Sequence, residues 1–183
     1  MSAQVWKVDE GHSTLQFSVR HLAIANVRGH FRRWTTSLAL DESDLTRSSV
    51  NVEIEAASVD TGNPERDANL RSAGFLDADT FPRLTFRSRR IDPAGGNNYR
   101  VVGDLTIRDV TREAILDAEV GGFARDLRGN RRIGLTAATK VRRSDFGIVW
   151  NQILEAGGVA IGDEVTILIE LEAIAQGQQQ QAA

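Results

Sequence analysis

Val165-Thr166-Ile167-Leu168-Ile169-Glu170-Leu171-Glu172-Ala173 places Val165, Ile167, Ile169, Leu171 and Ala173 on one side of an extended chain. Side chains of a strand point alternately to opposite faces, so a run of this kind has one face for a core and one for another surface. The same period returns upstream. Ile133, Leu135, Ala137, Thr139 and Val141 form one inward set, and Ala114, Leu116, Ala118 and Val120 another. Tyr99, Val101, Gly103, Leu105 and Ile107 form a third. Leu84, Phe86 and Ser88 alternate with Thr85, Arg87 and Arg89, and Val50, Val52, Ile54 and Ala56 with Asn51, Glu53 and Glu55. Leu15, Phe17 and Val19 open the series. One buried and one wet face marks antiparallel sheet. About eight such strands, with no alternating strand–helix units and no second domain boundary, predict an all-β chain folded as a single antiparallel β-barrel over residues 1–175. Closure removes the exposed edges of such a sheet.

Between Val27 and Asp41 the parity changes. Val27, Gly29 and Phe31 share one face, whereas Trp34, Leu38 and Leu40 fall on the other. A one-residue slip flips every later side chain, so a β-bulge near Arg32-Arg33 is expected to restore Trp34 to the inside. One short helix is predicted, with Asn63 as its cap, Pro64 at its first position and Glu65 complementing its dipole. It runs to about Ser72 and stops before Gly74. Phe75 to Pro82 reads as a turn that packs Phe75 and Phe81 onto the barrel, and His21 to Ala25 would accommodate a second, shorter helical turn. Asp92 to Asn98 is a hairpin loop. The glutamine-rich stretch 176–183 has no core-forming pattern and is expected to be a disordered tail.

Composition excludes several classes. The chain has 183 residues, 41% of them hydrophobic and 26% charged, with a net charge of -3. Nothing in that overall balance draws it to nucleic acid or to anionic lipid. It has no cysteine, which removes disulfides, thiolate metal sites and a cysteine nucleophile. No apolar run is long enough to span a bilayer, so no stable membrane insertion is expected. Met1 to Lys7 shows no basic segment followed by an apolar one, so a cytoplasmic protein is expected.

Whether the barrel is full or hollow decides the function. Small residues recur at inward positions: Ala56, Ser88, Gly103, Ala114, Ala118, Ala137, Thr139 and Ala173. A filled interior alternates large with small side chains, so small residues on several strands suggest an apolar lumen. The competing reading is that they face the helix or the loop after it.

Many motifs in one order then resemble the YceI-like family. They begin with Trp6-Lys7-Val8-Asp9, His12-Ser13, Phe17-Ser18-Val19-Arg20-His21 and Gly29 to Phe31. Ala57 to Gly62, Arg66 to Ser72, Phe81-Pro82 and Thr85 to Ser88 follow. Gly103 to Ile107, Arg143 to Gly147 and Gly162 to Val165 complete the match. The resemblance implies a lipocalin-like barrel enclosing a polyisoprenoid or similar amphiphile, and a homodimer. It implies no catalytic motif. Arg108-Asp109-Val110-Thr111 departs from the pattern at Asp109, where glycine is expected, although Asp also tolerates left-handed backbone.

The chain is therefore read as a binding or carrier protein for an isoprenoid lipid or quinone-type amphiphile, with no other cofactor and no metal. The alternatives are an enzyme acting on such a lipid, or a non-catalytic stress or interaction protein with a filled barrel. Candidate lumen-lining residues are Phe17, Val19, Phe31, Trp34, Ile54, Phe75, Phe81, Phe86, Leu105, Ala118, Leu135, Ala137, Phe146, Trp150 and Ile169. Candidate head-group contacts are Arg66 and Arg71, because guanidinium suits phosphate geometry, and Asn151, a polar group beside Trp150. Asp67 would instead neutralise Arg66 and Arg71 in a structural salt bridge. His12 and Ser13 are expected to tie a turn, Ser58 and Asp60 to satisfy backbone donors, and Arg143-Ser144-Asp145 to shape a loop at the mouth.

Overall fold

Eleven strand segments make one closed antiparallel wall in the computed structural model, which describes residues 3–177. They are β1 (Gln4–Val8), β2 (Thr14–His21), β3 (Ala25–Phe31), β4 (Trp34–Leu40), β5 (Ser49–Glu55) and β6 (Val59–Asp60), followed by β7 (Arg83–Pro93), β8 (Asn98–Ile107), β9 (Val110–Arg125), β10 (Arg131–Arg142) and β11 (Ile161–Ala175). Three pairs of segments are halves of interrupted strands. β1 and β2 both lie along β11, with Val8 opposite Ala173 and Phe17 opposite Ile167. β3 pairs with β2 and β4 with β1. β5 pairs with β4 and β6 with β3. Each of the eight resulting wall positions neighbours the next in sequence, and β11 returns to the first. The eight-stranded antiparallel barrel expected from the alternation is the observed fold.

The parity change is resolved where the sequence places it. Arg32 and Arg33 leave the ladder: Arg32 N donates to Ser58 O at 3.1 Å and Arg33 N to Ser58 Oγ at 3.1 Å. Phe31 and Trp34 consequently both face inward, and the wall bends between them. A second irregularity, at Arg89 between Ser88 and Arg90, was not visible in the pattern; it turns Ile91 inward beside Val101.

The helix α1 (Pro64–Arg71) forms as predicted: Asn63 Oδ1 accepts from Arg66 N at 3.0 Å and Pro64 occupies the first turn. The second helical turn is not found. Leu22 and Ala23 have φ of 53° and 58°, and Ile24 N donates to His21 O, which makes a tight hairpin turn between β2 and β3. Two successive left-handed residues match the twist of the strands they join. At the β8–β9 turn the left-handed residue is Arg108, with φ 58°, rather than Asp109. Gln176 still bonds to β1 through Val5 O, and the rest of the predicted tail, from residue 178, lies outside the described residues.

The two ends of the barrel differ. Trp6, Leu38, Leu40, Ile133 and Ala173 form a buried cluster that closes one end. At the other end lie the β2–β3 hairpin, α1 with the turn after it, and the segment 143–160. The larger core cluster lines the wall between the two ends.

Candidate functional site

The barrel is hollow. A cavity of about 680 Å³ runs through it, a size in the usual range for small-molecule sites. Every strand position contributes to its wall, and α1 and the following turn contribute Asn69, Leu70, Phe75 and Leu76. Of the candidate lining residues, Phe17, Val19, Phe31, Trp34, Ile54, Phe75, Phe86, Leu105, Leu135, Ala137, Trp150 and Ile169 border the cavity. Phe81, Ala118 and Phe146 do not. Phe81 lies under the Arg108 guanidinium, 5.7 Å from the ring centre, outside the lumen. Ala118 sits between Tyr99 and Ala137 and packs against the core cluster without bordering the cavity. Phe146 is buried in the core cluster at the foot of a 3-10 turn (Arg143–Phe146).

The small inward residues account for only part of the void. Ala114, Ala137 and Thr139 border it. Gly103 is filled by the Phe86 ring, and Ser88 Oγ accepts from Val50 N at 3.0 Å. Ala56 and Ala173 are completely buried in packed core. The rest of the space comes from the barrel's width.

The wall is almost wholly apolar. Among the described residues no Asp or Glu side chain borders the cavity; its basic residues are Arg20, His21, Arg66 and Arg143, all toward the open end. Deeper in, Thr36 Oγ1 is buried without a protein partner and offers one polar point to a ligand oxygen.

Three residues singled out for head groups have other work. Asn151 is spent on the start of β11: Nδ2 donates to Ile161 O at 2.7 Å and Oδ1 accepts from Ile161 N at 3.0 Å. Arg71 reaches the carbonyls of Ala57 and Val59 and does not border the lumen. Arg66 borders it, but its guanidinium also donates to Thr61 Oγ1 at 2.7 Å and Thr61 O at 3.0 Å. The expected salt bridge with Asp67 is absent among the described residues. Asp67 is buried and accepts from Thr61 N and Oγ1, so it orders the entry to α1.

Arg143 shapes a loop at the mouth, as expected, though its burial was not legible in the sequence. It is buried at the mouth, and its guanidinium donates to the carbonyls of Gly162, Ile148, Trp150 and Ile161 at 2.8–3.3 Å. Burial pulls its pKa down, opposed by the nearby Asp163 carboxylate. The segment 148–160 is thereby tied to β11, and Trp150 is held against Phe75 with ring centres 5.5 Å apart.

Two other clusters resemble reactive sites without being built as such. Ser144 Oγ donates to Asp163 Oδ2 at 2.7 Å, which holds a turn and involves no histidine. Asp9, His12 and Glu172 converge closely enough to hold a cation. The Arg132 guanidinium already supplies one: it donates to Asp9 at 2.7 Å and to Glu172 at 2.5 Å. Ser13 Oγ and Glu172 N close the same turn at 3.0 Å.

A closed meander barrel with a capped, apolar lumen and an opening at one end defines a lipocalin-like binding scaffold. Comparison with known proteins agrees. The YceI-like domain family matches residues 6–173, and the chain belongs to that family. A UPF0312 protein of Staphylococcus epidermidis is 35% identical over 158 residues, which cover 86% of this chain and 90% of that protein. A UPF0312 protein of Staphylococcus aureus is 32% identical over the same length and the same shares. The crystal structure of a Campylobacter jejuni YceI protein, 30% identical, has a TM-score of 0.73 and covers 86% of this chain and 90% of its own. A domain from Saccharophagus degradans described as polyisoprenoid binding shares the fold, with a TM-score of 0.65 at 17% identity, over 94% of this chain and 99% of its own. No helix among the described residues is long and apolar enough to cross a membrane.

Proposed function

We propose that the protein binds and carries a long-chain isoprenoid lipid or quinone-type amphiphile in its lumen. The observation that carries the reading is the cavity of about 680 Å³ with an apolar wall and a polar, arginine-bearing opening. A chain in such a lumen leaves water at about 0.8 kcal/mol per methylene-sized group, or roughly 4 kcal/mol for a five-carbon isoprene unit. This affinity is blind to chemical detail, so selection among ligands falls to the few polar groups near the opening. Against bilayer lipid the balance differs. Acyl tails are as apolar as the wall, so transfer between membrane and lumen is close to neutral. That suits a carrier, which must release what it takes up.

A wall without carboxylates gives little support to an enzyme, since general acid–base chemistry needs a positioned pair within reach of the substrate. The cavity itself counts against a filled interaction barrel. The S. degradans domain's described ligand class is consistent with the reading. The homodimer implied by family resemblance belongs to it as well, and sedimentation velocity at micromolar concentration tests that part.

The central test is mass spectrometry of an organic extract from natively purified protein, with a heat-denatured control protein beside it. A stoichiometric isoprenoid or quinone is expected and would name the head group. An empty protein that also ignores added polyprenols would overturn the proposal.

A further inference from the structure

The end of the barrel that opens also carries most of the chain's large exposed apolar side chains. Ile24 is 80% exposed at the tip of the β2–β3 hairpin and Ile153 is 83% exposed in the segment 148–160. Leu22, Val149, Trp150 and Val159 are exposed beside them. These belong to two separate loops, yet they form one surface. Leu22 N donates to Ala160 O at 2.8 Å, and an isolated bridge joins Ile153 to Val159. Trp150 is shared between this surface and the cavity wall. An apolar surface of this kind on a water-exposed rim marks an interaction site.

We infer that this rim docks reversibly on an anionic phospholipid surface, bringing the mouth of the lumen against the bilayer. Two observations choose a lipid surface over a second copy or another protein. The first is charge. The hairpin from Thr14 to Phe31 contains Arg20, His21, Arg28 and His30 and no Asp or Glu, in a chain whose net charge is -3. Arg20 and Arg28 flank the apolar tip of the hairpin, and neither forms a salt bridge among the described residues. Glu155 is the one acid in the segment 148–160, while the adjoining Asp163 and Glu164 are engaged by Ser144 and Lys140. Apolar tips set among unpaired arginines are the arrangement by which a protein lies at an anionic interface. The second is continuity. The rim passes directly into the apolar wall through Trp150, so a docked barrel would give a lipid chain a path from bilayer to lumen that never meets water.

The inference rests on the carrier reading for its purpose but not for its test. The probe is flotation with vesicles of phosphatidylcholine containing phosphatidylglycerol, at low and high salt. The protein is expected to float with them, and less with pure phosphatidylcholine. Ile24→Asp with Ile153→Asp should weaken flotation about tenfold or more, because two exposed apolar anchors become anions. Both sites are exposed enough that folding should survive, as thermal melting will check. Leu127→Asp, on the β9–β10 turn at the opposite end, should float like the parent. A parent that does not float, or a double variant that floats unchanged, overturns docking. So does a dimer that the double variant dissociates, since the rim would then be a subunit interface. A protein that floats but takes up no polyprenol keeps the docking and loses the carrier reading.

Discussion

The ring of Phe17 lies across Gly29, its partner on the neighbouring strand, and a Cβ at that glycine would stand 2.6 Å from Phe17 Cζ. The contact lets an aromatic ring lie flat in the wall of the lumen, next to Phe31 at 5.7 Å between ring centres. Gly103 receives the Phe86 ring in the same way, also at 2.6 Å from where a Cβ would be. Gly29→Ala should therefore push Phe17 and Thr61 out of place. Overpacking of this kind costs about 1–3 kcal/mol. A fall in melting temperature of roughly 2–4 °C per kcal/mol is expected for a chain of this size. Phe17 turned into the lumen should also lower its capacity for ligand.

Ala137 and Ala118 are cross-strand partners with different surroundings, and they separate a void from a packed wall. Ala137 borders the cavity and Ala118 does not. Ala137→Phe should place its ring in empty space, with a stability change of less than about 1.5 kcal/mol. Polyprenol binding, followed through tryptophan fluorescence, to which Trp34 and Trp150 in the cavity wall contribute, should weaken several-fold. Ala118→Phe has no space to enter and should destabilise by about 1–3 kcal/mol instead. Unchanged lipid affinity in Ala137→Phe would remove the lumen as the binding site.

The alternation along β8, β10 and β11 made the barrel legible, and the parity change at Arg32-Arg33 located its bend, because both follow from one rule of strand geometry. The left-handed turn at Leu22-Ala23 was hidden because neither residue advertises positive φ. Of the strand residues expected at the lumen, all but Ala118 border the cavity, because the alternation that marks a strand also marks its inner face. Phe81 and Phe146 do not border it, and their direction was not legible because an aromatic residue in a turn carries no periodicity to say which way it faces. The contacts of Arg143 and Asn151 were hidden more deeply, since their partners are backbone carbonyls and amides 5 to 19 residues away.

Arg143→Met tests that hidden support. It removes the donors to four carbonyls while keeping much of the side chain's bulk. Bonds from a charged donor contribute about 1.5–3 kcal/mol each when measured singly, but they are not additive here, so a loss of about 2–4 kcal/mol is expected. The loss should be local. Hydrogen exchange should rise in the segment 148–162 while the strands opposite, β7 and β8, keep their protection. A uniform rise across the barrel would mean that Arg143 supports the whole fold and does not serve chiefly to hold the mouth.

On the outer wall, Arg132 joins Asp9, Asp126 and Glu172 in one charged cluster. The guanidinium of Arg132, then His12, hold the Asp9 carboxyl below its usual pKa. Asn130 and then Arg132 hold Asp126 much further below. A carboxyl whose folded pKa is depressed contributes stability that is present above its unfolded value of about 4 and is lost as pH falls through the folded value. Arg132→Gln should therefore be less stable than the parent at neutral pH. The difference in urea midpoint should hold from pH 7 to about pH 5 and then shrink as the pH drops below about 4, where carboxylates of the unfolded chain take up protons before those of the folded parent. Added salt should shrink it as well, because the side chains of this cluster are partly exposed. Urea midpoints at pH 7, 5 and 3 check this. A difference that stays constant with pH would show that Arg132 acts through packing of its stem and not through its charge.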